Sequence, residues 1–550
     1  MADDGIEKGF LAELEALEKL RISYTAQYPS VPLAHDDPDV RRLIEAMAFF
    51  TARTRRAATR GLDESVQRVF RQQFPTLLSP VPAMAMLRAT PGPTFADAAE
   101  IPRGSEVLLR RPAGDDGEPE RLFRFRTTAD LRILPLRAVR VDLVNVRGRG
   151  QRILLRLAAS TSHNQELREL TLHINHLDDL RSSMTVAHEL STNLRSASVL
   201  YDPNAREDEA GHDVQITFGA PSAAGSLPDA FEDPLQRARM LARFPRQELF
   251  MNVRGLRPPR NWQHITLCLD VGEGWPRRLR LTSDSFELHA VPMVNVRRDL
   301  ANPIEHDGTK DRYPLRHPDE AGKFAPLWAI GAYRPTKEGF VPLEPGVLGA
   351  EGDSYETMTE GQGEDRRVFG MFRIAGAFER PQLVSVDAFW HQPSLRGVPA
   401  NELKVGLADR FVDGVTWACS GPIVPHADAV LDGDRDAQLA LVSLKTLRFL
   451  GHAELHLLLT ACGARDEPHF ARLVAAMTGV RVSAKPFGKR TQGLKHVYEL
   501  TFGALDTSDL PRLAMFCDWL LDLLLAWSAD EVLEVVAHVP NLDRIVRSAA

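Results

Sequence analysis

The segment from residue 37 to residue 74 most constrains what this chain can fold into, because its sequence predicts one long amphipathic helix. Asp37 is placed to cap the helix, and Pro38 suits the first turn, which needs no backbone N–H donor. Large apolar side chains then recur at three- and four-residue spacing, at Val40, Leu43, Ile44, Met47 and Phe50. Such a stripe has to be covered by another apolar surface.

A second helix is predicted over residues 8–28, with its own apolar stripe. Two helices joined by a proline-containing turn cannot bury both stripes completely in each other. The remaining apolar surface meets either a later part of this chain or another chain, and the helical pattern alone leaves both interpretations open. The candidate partner-interface residues are Leu14, Leu17, Val40, Leu43, Ile44, Met47 and Phe50.

Arginine is frequent along the later part of the long helix, at positions 53, 55, 56, 60, 68 and 71. The simplest interpretation of this cluster is a solvated helix face. The alternative is that these guanidinium groups pair with acidic side chains of a partner helix.

Beyond residue 80 the sequence predicts a multidomain α+β protein rather than a series of βαβ units. Short β-type runs dominate up to about residue 435, and helical periodicity then returns. We expect an N-terminal helical segment, one or more β-rich domains, a second β-rich region with long loops, and a small α+β domain, at residues 1–80, 81–290, 291–435 and 436–550.

The clearest predicted strands are residues 106–109, 122–126, 139–146, 152–157, 169–175, 214–218, 264–270 and 383–389. Residues 202–228 predict an exposed insertion. Residues 341–365 are rich in glycine and acidic residues and predict a long loop. In the C-terminal part, helices are predicted over residues 437–461, 468–477 and 510–527.

Charge and cysteine content exclude several classes of protein. A net charge of −7 and a pI near 6.2 argue against general nucleic-acid binding, which requires a strongly basic face. The four cysteines are far apart and form no Cys-x-x-Cys pair, as expected for free thiols in a reducing compartment. The acidic N-terminus predicts no secretory signal, and the apolar run at 510–527 holds too many charges to insert into a membrane. We therefore expect a cytoplasmic protein.

The sequence contains residues that resemble catalytic or ligand-binding motifs only in part. The run at 488–491 is similar to the end of a phosphate-binding loop, but Ser483 stands where its first glycine belongs. Arg147 to Gly150 lacks the third glycine of a dinucleotide-binding turn. Histidine pairs at 173 and 176, with 188 beyond, and at 452 and 456 have no evident third metal ligand. We therefore predict no catalytic residue, no cofactor and no metal.

An ordered set of motifs in the first 90 residues carries a family resemblance. In chain order, these are Glu13-Leu14, Gln27-Tyr28-Pro29, the run at 37–53, Leu62-Asp63-Glu64, and the proline-rich exit at 78–84. The set resembles the TssF family, the baseplate wedge subunits of the bacterial type VI secretion system. Further matches at 101–105, 123–128, 244–256 and 286–313 extend the resemblance to about residue 315, and beyond that point it thins.

This resemblance implies a non-enzymatic structural subunit. TssF-like chains join a TssG-like subunit in a wedge that holds a second TssF copy, and their N-terminal helices form a bundle that holds the wedge together. It also implies contacts with TssK-like and TssE-like baseplate proteins and with the central spike or hub, in a baseplate docked at the inner-membrane complex. The sequence leaves two alternatives, a wedge protein of a contractile phage tail or related injection machine, and an unrecognised enzyme.

The expected lack of a metal or nucleotide gives a direct test. Anything that binds selectively to the native state raises the melting temperature by mass action. We expect the thermal midpoint of the purified chain to be the same with a chelator, with added zinc, and with ATP. A reproducible rise of several degrees with zinc or ATP would support the enzyme alternative instead.

Overall fold

The computed structural model describes residues 4–30, 33, 37–113, 120–146, 150–163, 166–202, 206–221, 233–346, 352–361, 363–395, 398–487, 493–528 and 532–549. Contacts divide the chain into two compact units. The first unit is Met1–Phe74 with Asp434–Val442, and the second is Pro75–Gly433 with Ser443–Ala550. The mixture of helices and separate sheets confirms the predicted α+β class. The four-segment division made from the sequence stays a prediction.

The α-helices within the described residues are α1 (Asp4–Gln27), α2 (Pro38–Gln73), α3 (Leu180–Asn193), α4 (Pro234–Arg243), α5 (Arg435–Leu444), α6 (His452–Ala461), α7 (Pro468–Ala476) and α8 (Leu510–Ser528). The sequence predicted α1, α2, α7 and α8 but not α3 and α4. The single helix predicted over 437–461 is wrong, because the chain turns between α5 and α6. In that turn Leu450 is buried and its N–H donates to the Tyr498 hydroxyl at 3.4 Å, and Gly451 is the N-cap of α6.

The strands of the larger part of the second unit, in chain order, are β1 (Met84–Pro91), β2 (Ala99–Ile101), β3 (Glu106–Arg111), β4 (Arg121–Thr127), β5 (Leu131–Ile133), β6 (Leu136–Val146), β7 (Gly150–His163), β8 (Glu169–Ile174), β9 (Leu194–Leu200), β10 (His212–Asp213), β11 (Gln215–Phe218), β12 (Phe250–Arg254), β13 (Trp262–Val271), β14 (Phe286–Leu288), β15 (Ala290–Val294), β16 (Arg297–Leu300), β17 (Ile304–His306) and β18 (Tyr313–Pro314).

The remaining strands are β19 (Ala325–Thr336), β20 (Gly339–Pro342), β21 (Glu344–Pro345), β22 (Ser354–Glu360), β23 (Arg367–Arg373), β24 (Gln382–His391), β25 (Lys404–Leu407), β26 (Val415–Val424), β27 (Met477–Phe487), β28 (Gly493–Phe502), β29 (Val532–Val539) and β30 (Arg544–Ala549). Each of the eight segments predicted as a clear strand lies within or overlaps one of these strands.

The long loop predicted over 341–365 is wrong, because strands occupy much of it. The segment from Ser354 to Glu360 forms β22, which pairs antiparallel with β23, and β21 adds to its other side in parallel. Met358 is buried in this sheet, so the strand has a core-facing side chain despite its acidic neighbours. The glycines on which the loop prediction rested lie before and after β22 in the sequence. Of the insertion predicted over 202–228, residues 206–221 are described and include β10 and β11, and the remainder lies outside the described residues apart from Asp202.

Five sheets built from β1 to β26 form the body of the second unit. Their strand orders are β25-β3-β4-β15-β1-β26, β10-β9-β13-β7-β6, β11-β12-β8-β14, β16-β24-β19-β20 with β17 also on β24, and β18-β23-β22-β21. A short β2-β5 pair adds to them. The C-terminal sheet has the order β27-β28-β29-β30, and α8 connects the parallel strands β28 and β29. Parallel neighbouring strands need a crossover connection, and α8 is that connection between β28 and β29.

A buried carboxylate on β14 joins that strand to three others. Glu287 on β14 accepts hydrogen bonds from the Ser420 hydroxyl at 2.6 Å and from the Asn175 side-chain amide at 3.1 Å. The His173 ring nitrogen Nδ1 lies 3.0 Å from the same carboxylate, and Arg88 on β1 lies 3.2 Å from it. Burial alone would raise the pKa of Glu287, but these contacts, led by His173, more than offset it and lower the pKa to about 2.

This geometry predicts the effect of Glu287→Gln. The neutral amide loses the charge that the surrounding donors satisfy, so the free energy of unfolding should fall by about 2–4 kcal/mol at neutral pH. A carboxyl with a lowered pKa stabilises the folded state above its ordinary pKa of 4.5, and this stability is lost as the pH falls toward about 2. The variant should lack that part of the acid dependence.

Urea unfolding followed by circular dichroism between pH 7 and pH 3 measures both effects. Glu305→Gln, a change at an exposed carboxylate on β17, is the matched control and should shift the unfolding free energy by no more than about 0.5 kcal/mol. Equal losses in the two variants would contradict this role for Glu287.

Candidate protein-protein interface

The N-terminal helices begin and end at chemically defined positions. The Asp37 side chain accepts a hydrogen bond from the N–H of Asp39 at 2.9 Å, which confirms the predicted cap. At the other end the N–H of Phe74 donates to the carbonyl of Phe70 at 2.8 Å, just before Pro75 ends the helix. α2 has 36 residues and α1 has 24, so α1 is too short to cover the full length of α2.

Small side chains line the contact between α1 and α2. Ala48 is 0% exposed and Ala52 is 7% exposed. Gly9 on α1 lies so near that a Cβ added there would be 3.8 Å from the Cβ of Ala52. Small residues therefore let the two helices approach each other closely at this point.

An ion pair closes the same contact. Glu13 of α1 is 7% exposed, and its carboxylate lies 2.5 Å from the guanidinium of Arg55 on α2. A buried carboxylate requires such a partner. One member of the predicted arginine cluster thus pairs within its own chain. At the end of α2, Asp63 lies 3.3 Å from Arg435, which belongs to the same unit.

Three large apolar residues in the first half of α2 are exposed. Leu43, Met47 and Phe50 are 62%, 49% and 65% exposed, and the remaining four predicted interface residues, Leu14, Leu17, Val40 and Ile44, are half-buried. The structure therefore divides the predicted set into a half-buried group and an exposed group. We call the exposed group, Leu43, Met47 and Phe50, the α2 face.

Exposed apolar residues continue on α1 and farther along α2, at Leu11, Leu20, Ile22, Phe49 and Leu62. The helical periodicity of α1 already contained Leu11 and Leu20, but the sequence did not separate them from the half-buried positions. Scattered exposed apolar residues are normal, but Leu43, Met47 and Phe50 follow one another at helical spacing, which makes the α2 face a candidate interaction surface. The chemistry available here is burial of apolar area, with arginines at the margin.

The histidines considered as metal ligands occupy other roles. His176 contacts the Ser285 hydroxyl at 2.9 Å, and burial lowers the pKa of His176. His452 contacts the carbonyl of Met477 at 3.1 Å, and its ring lies 4.6 Å from that of His456. No group of three or more potential metal ligands occurs among the residues that the structure describes. The phosphate-loop-like run at 488–491 lies outside those residues, as do the first three residues of the 147–150 run.

Within the described part of the chain, none of the helices combines the length and the apolar character needed to cross a membrane.

Comparison with known proteins confirms the family resemblance. The family described as "Type VI secretion system, TssF" matches residues 2–325. A chain from the structure of the type VI secretion system TssK-TssF-TssG baseplate subcomplex is 18% identical, with a TM-score of 0.73, and the match covers 92% of this chain and 98% of that one. A chain from the baseplate complex of the type VI secretion system is also 18% identical, with a TM-score of 0.61 and coverage of 99% and 98%. No curated protein matches the sequence.

The two structural matches extend beyond residue 325, where the motif resemblance thins. At this level of identity they show a shared fold. The C-terminal region therefore keeps the fold although its sequence has diverged.

Phe50 is exposed and Ala48 is buried, so substitution by aspartate should affect stability very differently at these two positions of α2. Phe50→Asp should change the unfolding free energy of the isolated chain by no more than about 0.5 kcal/mol, because Phe50 is largely in solvent. Ala48→Asp should destabilise the α1–α2 contact strongly, because it buries an unpaired charge. Urea unfolding followed at 222 nm on the isolated chain measures both changes. Comparable destabilisation by the two variants would mean that Phe50 is covered within the chain.

Proposed function

The chain belongs to the TssF family of type VI secretion system proteins, and we propose that it is a structural wedge subunit of the baseplate, held in its wedge by the N-terminal helices. The observation that carries the proposal is the α2 face, whose large apolar residues are exposed in the isolated chain. The family match favours a type VI secretion system over a contractile phage tail.

The proposed partners follow from the family and from the structural neighbours. One neighbour belongs to a subcomplex of TssK, TssF and TssG. We infer a TssG-like subunit as the partner on the α2 face and a TssK-like subunit as a further partner. A second copy of this chain, a TssE-like protein and the spike or hub complete the proposed assembly, in the cytoplasm at the inner-membrane complex.

The energetics favour a shared helical bundle. Covering one large apolar side chain contributes about 1.5–3 kcal/mol when it goes from full exposure to full burial. The three residues of the α2 face are roughly half to two-thirds exposed, so a partner helix would gain part of that amount from each. A structural role needs this affinity and no reacting group, and we therefore propose that the chain has no catalytic activity of its own.

A double substitution on the α2 face tests the proposal. Met47→Asp with Phe50→Asp should abolish co-purification with the TssG-like subunit, because each new carboxylate would be desolvated without a partner in the complex. The circular dichroism and melting temperature of the isolated variant should stay those of the natural chain, since both positions are exposed.

The matched control is Arg41→Gln with Arg42→Gln. It lowers the net charge by the same two units, at exposed positions of the same helix. This control should still co-purify with the TssG-like subunit. Retention of the complex by the Met47 and Phe50 variant, or loss of it by the control alone, would overturn the proposed role of the α2 face.

A further inference from the structure

A cavity of about 330 Å³ opens in the second unit, far along the sequence from the N-terminal helices. Its walls come from α3, α4, α7 and α8, together with the residues that follow β11 and α4. It lies where the C-terminal helices pack on the β-rich body. We call it the α8 pocket.

The inner wall of the α8 pocket is apolar and fixed in place. Met184, Leu241, Phe470 and Trp519 are buried, and Met515 is partly exposed. The Trp519 indole N–H donates to a backbone carbonyl of α4 at 2.8 Å, and its ring lies 5.3 Å from that of Phe470. Because the aromatic groups are held by these contacts, the pocket is shaped before any ligand arrives.

Three carboxylates also line the α8 pocket. Asp518 and Asp522 lie one turn apart on α8 and reach solvent. Glu248 is half-buried, and its carboxylate accepts a hydrogen bond from the N–H of Ala220 at 2.8 Å. The surrounding protein raises the pKa of all three carboxyl groups through desolvation. The pocket thus combines an apolar wall with a concentration of negative charge.

Among the described residues, the side-chain hydrogen bond made to these carboxylates is a neutral one, between Ser548 and Asp518. None of the three carboxylates forms an ion pair there. Arg237 acts on Glu248 and Asp522 only through space, and its side chain is exposed. His188 also lines the pocket, but burial lowers its pKa, so the ring is neutral near pH 7. A cation supplied from outside would therefore be stabilised.

We propose that the α8 pocket is a second docking surface, which receives an arginine or lysine side chain from a basic segment of a partner protein. Both side chains have a long apolar stem that ends in a charge. The stem fits against Met515 and the Trp519 ring, where a guanidinium also gains a cation–π contact. The charged end then lies among Asp518, Asp522 and Glu248. This inference does not depend on the α2 face, because the two surfaces share no residue.

The test uses the isolated full-length chain with isotope-labelled methionine methyl groups, so its outcome is independent of wedge assembly. The probe is N-acetyl-arginine-amide, and its neutral isostere N-acetyl-citrulline-amide is the matched ligand control. We expect the methyl signals of Met184 and Met515 to shift and saturate with the arginine probe, with a dissociation constant on the order of 1–10 mM. The citrulline probe should bind at least tenfold more weakly, on the order of one charge-assisted contact.

Protein variants localise the effect. Asp518→Asn with Asp522→Asn should remove the arginine-induced shifts, and the unbound spectrum shows whether the variant is folded. Asp409→Asn, at an exposed carboxylate outside the pocket, should leave the shifts unchanged. Equal binding of both probes, or no saturable shift of the two methyl signals, would overturn the proposal. Tighter binding of free spermidine than of the arginine probe would assign the pocket to a small polyamine and also overturn it.

Discussion

Two helices packed through alanine and glycine cannot bury large side chains that lie outside their narrow contact. In α1 and α2 the contact is made by Gly9, Ala48 and Ala52, and the Glu13–Arg55 ion pair closes it. These contacts favour one register of the two helices, in which Leu43, Met47 and Phe50 of α2 are exposed. The exposed residues of the α2 face are the ones that we propose another chain covers. The proposed role of the protein follows from this constraint more than from any single residue.

The second unit follows a different principle. Buried polar groups join its sheets, and Glu287 receives donors from β1, β8 and β26 or from residues next to them. A similar role belongs to Arg239 on α4, which is buried and donates to the carbonyls of Thr76 and Ser79. Desolvation lowers the pKa of Arg239 to about 10, but it remains charged near neutral pH. Such groups cost free energy unless every partner is in place, so they specify one arrangement of the sheets.

Local signals explain which elements the sequence predicted. The two ends of α2 are set by residues whose effect on the backbone can be recognised in the sequence, namely Asp37, Pro38 and Pro75. In β3, β4 and β13, apolar residues either alternate with polar ones or form a continuous run, so these strands could also be predicted. By contrast, α3 contains Ser182, Ser183 and Thr185, which are weak helix formers, and tertiary packing of Met184 and Leu190 overrides that propensity. Non-local features could not be predicted, because the partners of Glu287 lie between 112 and 199 residues away along the chain. The division of the interface residues into exposed and half-buried groups could not be predicted from the sequence either, because it depends on the register of two helices.

The central claim is that the α2 face is solvent-exposed in the free chain and covered in the wedge. Hydroxyl-radical footprinting measures side-chain accessibility directly, and Met47 and Phe50 are both reactive residue types. The account predicts rapid oxidation of these two residues in the isolated chain and strong protection in the complex with the TssG-like subunit, while the buried Met184 is unreactive in both. Unchanged oxidation of Met47 and Phe50 in a complex that has demonstrably formed would contradict the account.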